Sequence, residues 1–105
     1  MKSKNYTQFL TEEDKLNINF TENRGKISKF SVNYSSLING RWRYIIRVDN
    51  CHGQVHRHTY HLHRKEYRVV LGNNTNILFT WAKKYIIKDY RKIKENYLSI
   101  KSRNI

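Results

Sequence analysis

The sequence contains no proline, a single cysteine (Cys51) and only 8 acidic residues among 105 positions. The absence of proline argues against a proline-rich linker, and a lone cysteine excludes an internal disulfide, which is consistent with a reducing compartment. There is no run of 18 apolar residues and no basic-then-apolar leader, so we expect neither a membrane span nor a secretory signal. At this length we expect a single domain over residues 1–105. The cysteine usage and the lack of a leader make the cytoplasm the expected compartment.

The shortage of acids leaves the chain strongly basic. It has 21 Lys and Arg residues, a formal net charge of +13 and a pI near 10.1. Nucleic acids are the most abundant polyanions in a cell, and neutralising their phosphates provides affinity through counterion release. RNA is therefore the partner we expect. The basic residues are spread along the chain, which disfavours a membrane surface, and an acidic protein is the alternative partner.

The hydrophobic periodicity predicts an α+β fold, in which an antiparallel meander is covered on one face by a long C-terminal helix. The first 14 residues are weakly patterned, and Thr11 followed by three acids could cap a short helix there. The predicted elements are five strands at about 16–21, 27–37, 41–49, 55–63 and 66–71, and a helix at about 75–98.

The register between the second and third predicted strands follows from aligning their apolar rows. A three-residue loop over 38–40 pairs Val32 with Ile46, whereas a one-residue slip would place the two rows on opposite faces. The other face of this sheet is then expected to be basic, carrying Arg41, Arg43 and Arg47. The edge strand at 16–21 would permit a homodimer.

All five histidines lie between His52 and His63, close to Asp49. Imidazole titrates near neutrality, so two histidines could act as general base and acid in RNA cleavage without a metal or other cofactor. In this interpretation His52, His56 and His58 share the acid–base steps, and Asp49 orients one of them. The phosphate would be held by cationic or imidazole groups, namely Arg57, Arg47, Arg43, Arg41, His61 and His63.

Two other interpretations remain open. His56, His58 and Cys51 could bind a transition metal, as in a metal-dependent hydrolase, although they lack the spacing of a structural zinc site and arginines lie nearby. Alternatively, the histidines pack at a strand edge or contact phosphates without chemistry, as in a non-catalytic nucleic-acid-binding module.

The stretch from Arg47 to His58, Arg-Val-Asp-Asn-Cys-His-Gly-Gln-Val-His-Arg-His, resembles the core signature of TumE-like small toxins of prokaryotic toxin–antitoxin systems. A preceding hairpin with an Asn-Gly turn and a C-terminal helix agree with this resemblance. It implies a toxin that acts on RNA or the translation machinery and is neutralised by a cognate antitoxin, which we expect to be acidic. It also implies a site at Asp49, His52, Gly53, His56, Arg57 and His58. Together with the chemistry of the residues, this predicts a metal-independent endoribonuclease toxin.

Overall fold

The computed structural model describes residues 1–61 and 64–99, with six strands and one helix in that part of the chain. For His52, His61, Arg64 and Lys65 the description is limited to the backbone. In chain order the elements are β1 (Lys2–Thr11), β2 (Asp14–Asn23), β3 (Lys26–Ile38), β4 (Arg41–His52), β5 (Gln54–His61), β6 (Arg64–Gly72) and α1 (Thr75–Ser99).

The strands form one antiparallel sheet in sequential order, and α1 packs across β3, β4, β5 and β6. The α+β class, the meander and the C-terminal helix are thus confirmed, but the predicted number of five strands is wrong. The N-terminal segment is a further strand, β1, whose residues 2–9 are exposed on both sides. Without a buried side, this strand has no apolar alternation to reveal it.

The predicted helix cap at Thr11 is instead a turn between β1 and β2. The Thr11 hydroxyl accepts a hydrogen bond from the Glu13 amide at 3.0 Å and donates one to Asp14 at 2.6 Å. β2 consequently pairs on both sides, with β1 and β3. The expectation that segment 16–21 forms an edge strand is therefore wrong, and the edge strand is β1. A homodimer stays a prediction.

The hairpin between β3 and β4 aligns its apolar rows by a different device from the expected loop. The turn has only two residues, Asn39 and Gly40, both with positive φ (52° and 76°). A β-bulge at Ile45 then shifts the register, so that Tyr34 pairs with Ile46. The predicted three-residue loop is wrong, although the two apolar rows do share a face. A bulge adds one residue to one strand and thereby restores the alignment.

The bulge also exchanges the faces of the residues that precede it in β4. Trp42 and Tyr44 leave the helix side and become exposed, whereas Arg43 pairs with Ser36, whose side chain is buried. Arg41 has the same strand parity as Arg43, so neither shares a face with Arg47. The expectation that all three arginines form one basic surface is therefore wrong.

The core lies between α1 and the sheet. The side chain of Asn74 caps the helix by accepting a hydrogen bond from the Ile77 amide at 3.2 Å. Among the described residues no helix is long and apolar enough to cross a membrane. The most deeply buried apolar side chains include Leu16, Ile18, Val32, Tyr34, Val48, Val55, Ala82 and Ile86.

The strands at 41–49 and 55–63 were expected to be separated by five residues, but β4 continues to His52 and only Gly53 separates it from β5. The side-chain amide of Asn50 makes the hydrogen bonds to β3 that a backbone amide would make in a regular strand pair. Its Oδ1 accepts from the Phe30 amide at 2.9 Å, and its Nδ2 donates to the Ser28 carbonyl at 2.8 Å. Gly53 has a φ of 93°, and a Cβ there would meet nothing within 4 Å. Glycine is therefore favoured at this position by the positive φ of the turn and not by a lack of space.

Candidate nucleic-acid interface

The sheet has one face that no described element covers, opposite α1, and we call it the open face. Strand pairing places two rows of side chains across all six strands of this face. One row comprises Thr7, Asn17, Asn33, Arg47, His58 and Arg68. The neighbouring row comprises Asn5, Asn19, Ser31, Asp49, His56 and Val70.

Amide and hydroxyl groups occupy the β1–β3 half of the open face. Asn17 Nδ2 donates to Thr7 Oγ1 at 2.9 Å, and Asn19 Nδ2 donates to Ser31 Oγ at 3.3 Å. Beside them, a groove of about 320 Å³ runs from Asn5 past Lys29 to Asn50 and Cys51. This half of the face offers both hydrogen-bond donors and acceptors, and Lys4 and Lys29 both line the groove.

Aromatic side chains occupy one end of the open face. Phe9 and Trp42 are in edge-to-face contact with their ring centroids 6.3 Å apart, and Lys15 Nζ lies 4.0 Å from the Trp42 ring centroid. Tyr44 and Tyr60 follow, with centroids 6.1 Å apart. Tyr44 is 62% exposed and Trp42 is 40% exposed. Exposed flat rings on a sheet surface can stack on nucleic-acid bases. We call the exposed rings of Phe9, Trp42 and Tyr44, together with the partly buried ring of Tyr60, the aromatic strip.

A chain of charged side chains crosses β4, β5 and β6 next to the aromatic strip. Arg47 Nε donates to Asp49 Oδ2 at 2.5 Å, and His58 Nε2 lies 3.3 Å from the same oxygen. On its other side, His58 Nδ1 lies 3.2 Å from Glu66 Oε2. Neither of these two contacts has the alignment of a hydrogen bond. Asp49 thus does contact a histidine, and that histidine is His58.

Both carboxylates of this charged cluster, Asp49 and Glu66, have shifted pKa values. Burial raises the pKa of Asp49, but the Cys51 backbone N–H and the Arg47 guanidinium outweigh it, so the net pKa lies below its ordinary value. Burial also raises the pKa of Glu66, but the contact with His58 outweighs this effect, so the net pKa of Glu66 lies below its ordinary value. Both groups are therefore anionic near neutral pH, which leaves Arg47 partly neutralised by Asp49.

The structure brings some of the candidate catalytic residues together. His56 and His58 lie on the open face with ring centroids 6.3 Å apart, and His56 pairs with Asp49 across the strands. His58 is only 4% exposed, whereas His56 is half-buried, with Nδ1 lying 3.0 Å from the Gln54 carbonyl. The remaining histidine positions cannot be placed in the site: His63 and the side chains of His52 and His61 lie outside the description.

The structure separates Arg57 from this group. Arg57 pairs with Val48 and Val69, and its side chain lies on the helix side, with Tyr85 and Tyr97 of α1. Because successive side chains of a strand point to opposite faces, His56 and His58 lie on one side of β5 and Arg57 on the other. The arginine beside the two histidines is therefore Arg47.

The metal interpretation has less support at Cys51. Burial and Asp49 raise the pKa of this exposed thiol, which keeps it protonated and a poor ligand. Within residues 1–61 and 64–99, as far as their side chains are described, no group of three or more His, Cys, Asp or Glu residues could hold a metal ion.

Sequence reasoning did not single out Glu66 and Arg68, or recognise that Trp42 and Tyr44 belong to this face. The first two could have been found from the β5–β6 hairpin, since His58 pairs with Arg68 and Glu66 has the same strand parity. For the two aromatic residues no sequence signal exists, because the bulge at Ile45 decides their side.

Comparison with known proteins adds a family but no activity. No curated protein and no solved structure matches the chain. A family model described as a domain of unknown function, DUF7718, matches residues 1–103, nearly the whole sequence. The protein with this open, aromatic and charged sheet face therefore belongs to the DUF7718 family.

Proposed function

We propose that the protein binds single-stranded RNA across the open face. The observation that carries this proposal is the exposed pair Trp42 and Tyr44 on an uncovered sheet. In sheet-based RNA-binding modules, bases splay out and stack on such rings, while side-chain amides and hydroxyls bond to base edges and ribose. Asn17, Asn19 and Ser31 on the β1–β3 half of the open face offer those groups.

The charges of the open face support the same proposal. Lys15, Lys29, Arg47 and Arg68 lie on this face, and Arg68 is 58% exposed at its side chain. Lys15 lies against the aromatic strip, and the other three cations extend along the open face, where the phosphates of a bound strand would lie. The overall charge of +13 adds long-range attraction for any polyanion.

The direct test is fluorescence anisotropy with a labelled single-stranded RNA of about 12 nucleotides, within the site sizes of single-strand binders. The double variant Trp42→Ala and Tyr44→Ala should weaken binding by about 10-fold or more, since each stacked base contributes roughly 1–3 kcal/mol. Both positions are exposed, so circular dichroism should show an unchanged fold.

Tyr67→Ala is the matched control, because Tyr67 is 57% exposed but its pairing with Thr59 places it on the helix side. It should leave RNA affinity unchanged. Equal losses in the double variant and the control would contradict the proposal. In a Trp81→Phe background, RNA should also quench the fluorescence of the remaining Trp42.

Metal-independent RNA cleavage at the same face is the second candidate function. His56 favours it, because this half-buried imidazole lies in the row of Asp49 and beside His58 and Arg47. His56 would accept the proton of the 2′-hydroxyl as its oxygen attacks the phosphorus and would return it to the 5′-oxygen as the P–O bond breaks, leaving a 2′,3′-cyclic phosphate and a 5′-hydroxyl. Arg47 would contact the phosphate. The nearly buried His58 is the less accessible of the two and would position its neighbours.

Cleavage is tested with purified protein in excess EDTA. His56→Ala should lower the cleavage rate by about 10²-fold or more, as expected for a general acid–base group, while anisotropy still detects RNA binding. Loss of cleavage in EDTA and its recovery with zinc would favour the metal interpretation instead. Wild-type protein that binds RNA and leaves it intact would overturn cleavage and leave the binding proposal standing.

On the resemblance of residues 47–58, we further propose that the protein is a cytoplasmic toxin neutralised by an acidic antitoxin on the open face. Its expression should then arrest growth. The double variant at Trp42 and Tyr44 should relieve the arrest, and Tyr67→Ala should not. Growth that is unaffected by the wild-type protein, produced at a level confirmed by immunoblot, would contradict the toxin role.

A further inference from the structure

A second cavity lies on the opposite side of the sheet from the open face. It occupies about 250 Å³ between α1 and strands β4 and β5. Arg57, Thr59 and Tyr60 line it from β5, and Tyr85, Asn96 and Tyr97 line it from α1. Of these residues, the RNA-binding proposal uses Tyr60 alone, as the innermost ring of the aromatic strip.

Arg57 is the unusual member of this lining. Its Nε is buried and has no hydrogen-bond partner among the described residues, and no described carboxylate forms an ion pair with it. Buried donors on charged groups are normally paired, because an unmet one costs free energy. A guanidinium in this condition, at the wall of a cavity, is suited to an oxyanion.

The rest of the lining matches a small organic anion. Ile45 and Ile93 provide apolar walls, and Asn96 provides an amide on an exposed part of the helix. Tyr97 provides a hydroxyl: burial raises its pKa and the nearby Arg43 lowers it by less, so the phenol remains a donor at neutral pH. Arg43 adds positive charge to this side without occupying a place among the lining residues.

We propose that this cavity binds a small phosphate ester, with the guanidinium of Arg57 on the phosphate. Arg57 and Tyr97 contribute donors of different kinds, and Thr59 and Asn96 add further polar groups between the apolar walls. The volume of about 250 Å³ is just below the roughly 300–1,000 Å³ of typical ligand pockets, which limits the ligand to at most about the size of a nucleoside monophosphate. Arg57 thus serves a site separate from that of Arg47 and His58.

The test is isothermal titration calorimetry of the full chain with inorganic phosphate, cytidine 5′-monophosphate and cytidine. The monophosphate and phosphate should bind, and cytidine without its phosphate should not. Arg57→Gln should weaken monophosphate binding by about 10- to 100-fold, as expected for lost hydrogen bonds to a charged group. Arg68→Gln removes the same charge from the open face and should leave binding unchanged.

Asn96→Trp provides a second variant, since it places a bulky ring at the cavity from an exposed helix position. It should abolish monophosphate binding and keep the helix content measured by circular dichroism. Equal weakening by Arg57→Gln and Arg68→Gln, or binding by the Asn96→Trp protein at wild-type strength, would overturn the proposal. Absence of binding by both phosphate and the monophosphate would overturn it as well. RNA binding at the open face is measured separately, so either site can fail without the other.

Discussion

The carboxylate of Asp49 lies 3.3 Å from Nε2 of His58, and both side chains are at least 95% buried within the sheet. The same carboxylate accepts a hydrogen bond from Arg47, whose side chain is 34% exposed. Asp49 thus couples a buried imidazole to a cation that reaches the open face. Such a carboxylate contributes to stability as well as to the shape of the candidate site.

Asp49→Asn should destabilise the fold by about 2 kcal/mol, measured by urea unfolding at pH 7. The variant removes the anion that Arg47 and His58 share, although His58 keeps its contact with Glu66. Breaking a fully buried ion pair costs roughly 3–5 kcal/mol. The partial exposure of Arg47 reduces that figure. Arg68→Gln, at an exposed side chain, should change stability by less than about 0.5 kcal/mol. A smaller loss in Asp49→Asn than in this control would contradict the assignment.

A second buried carboxylate should make the protein sensitive to acid. Asp14 accepts hydrogen bonds from Thr11, Tyr34 and Ser36 at 2.6–2.8 Å, and Lys94 lies 3.6 Å away. Burial raises the pKa of Asp14, but these donors and Lys94 together lower it below its ordinary value. The folded state then binds fewer protons than the unfolded chain, so this contribution to stability is present above about pH 4 and is lost as pH falls through the lowered pKa.

Asp14→Asn should therefore reduce both stability at pH 7 and its decline in acid. Chemical unfolding between about pH 6 and pH 2 measures this as the slope of unfolding free energy against pH. Glu95→Gln removes the same charge from an exposed position on α1 and should keep the wild-type slope. A variant at Asp14 with the full wild-type slope would show that other groups carry the acid sensitivity.

Gly53→Ala should destabilise the protein by about 1 kcal/mol through the backbone alone. The position has a φ of 93°, which side chains disfavour, while the added Cβ would meet no neighbour within 4 Å. Gly53→Asn should lose less, because asparagine tolerates positive φ better than alanine does. Thermal unfolding distinguishes these outcomes, and equal stability of the alanine variant and wild type would show that the turn can relax.

RNA affinity should fall with salt, and the slope should report which lysines contact phosphate. Lys29→Gln on the open face should reduce the slope of log K against log salt by about 0.7, the value for one phosphate contact on a single strand. Lys84→Gln, on an exposed part of α1, should leave the slope unchanged. The reverse result would place RNA on the helix surface instead of the open face.

The elements that periodicity predicted well are those with one buried side. Leu16, Ile18 and Val32 alternate with polar residues, and Ala82 and Ile86 recur at helical spacing, so β2, β3 and α1 were expected close to their observed bounds. β1 was missed for the opposite reason. It is an edge strand held by pairing with β2, and its own residues show no buried side.

The candidate site was only partly predictable for a related reason. The concentration of histidines with Asp49 and Arg47 is visible in the chain, and strand parity separates His58 from Arg57. Glu66 reaches His58 only through the pairing of β5 with β6. The side chain of Asn50 hydrogen-bonds to the backbone of β3. The hydrophobic periodicity of the sequence contains no signal for such a contact.

The sequence by itself determined the basic charge, the antiparallel meander with its C-terminal helix, and the cluster of titratable residues between 47 and 58. These follow from composition and from periods that repeat within a single segment. Only the tertiary structure decided that Trp42 and Tyr44 are exposed on the open face and that Arg43 turns toward the helix side. The reason is physical: one extra residue at Ile45 reverses the parity of the strand before it, and that insertion is defined only relative to the neighbouring strand.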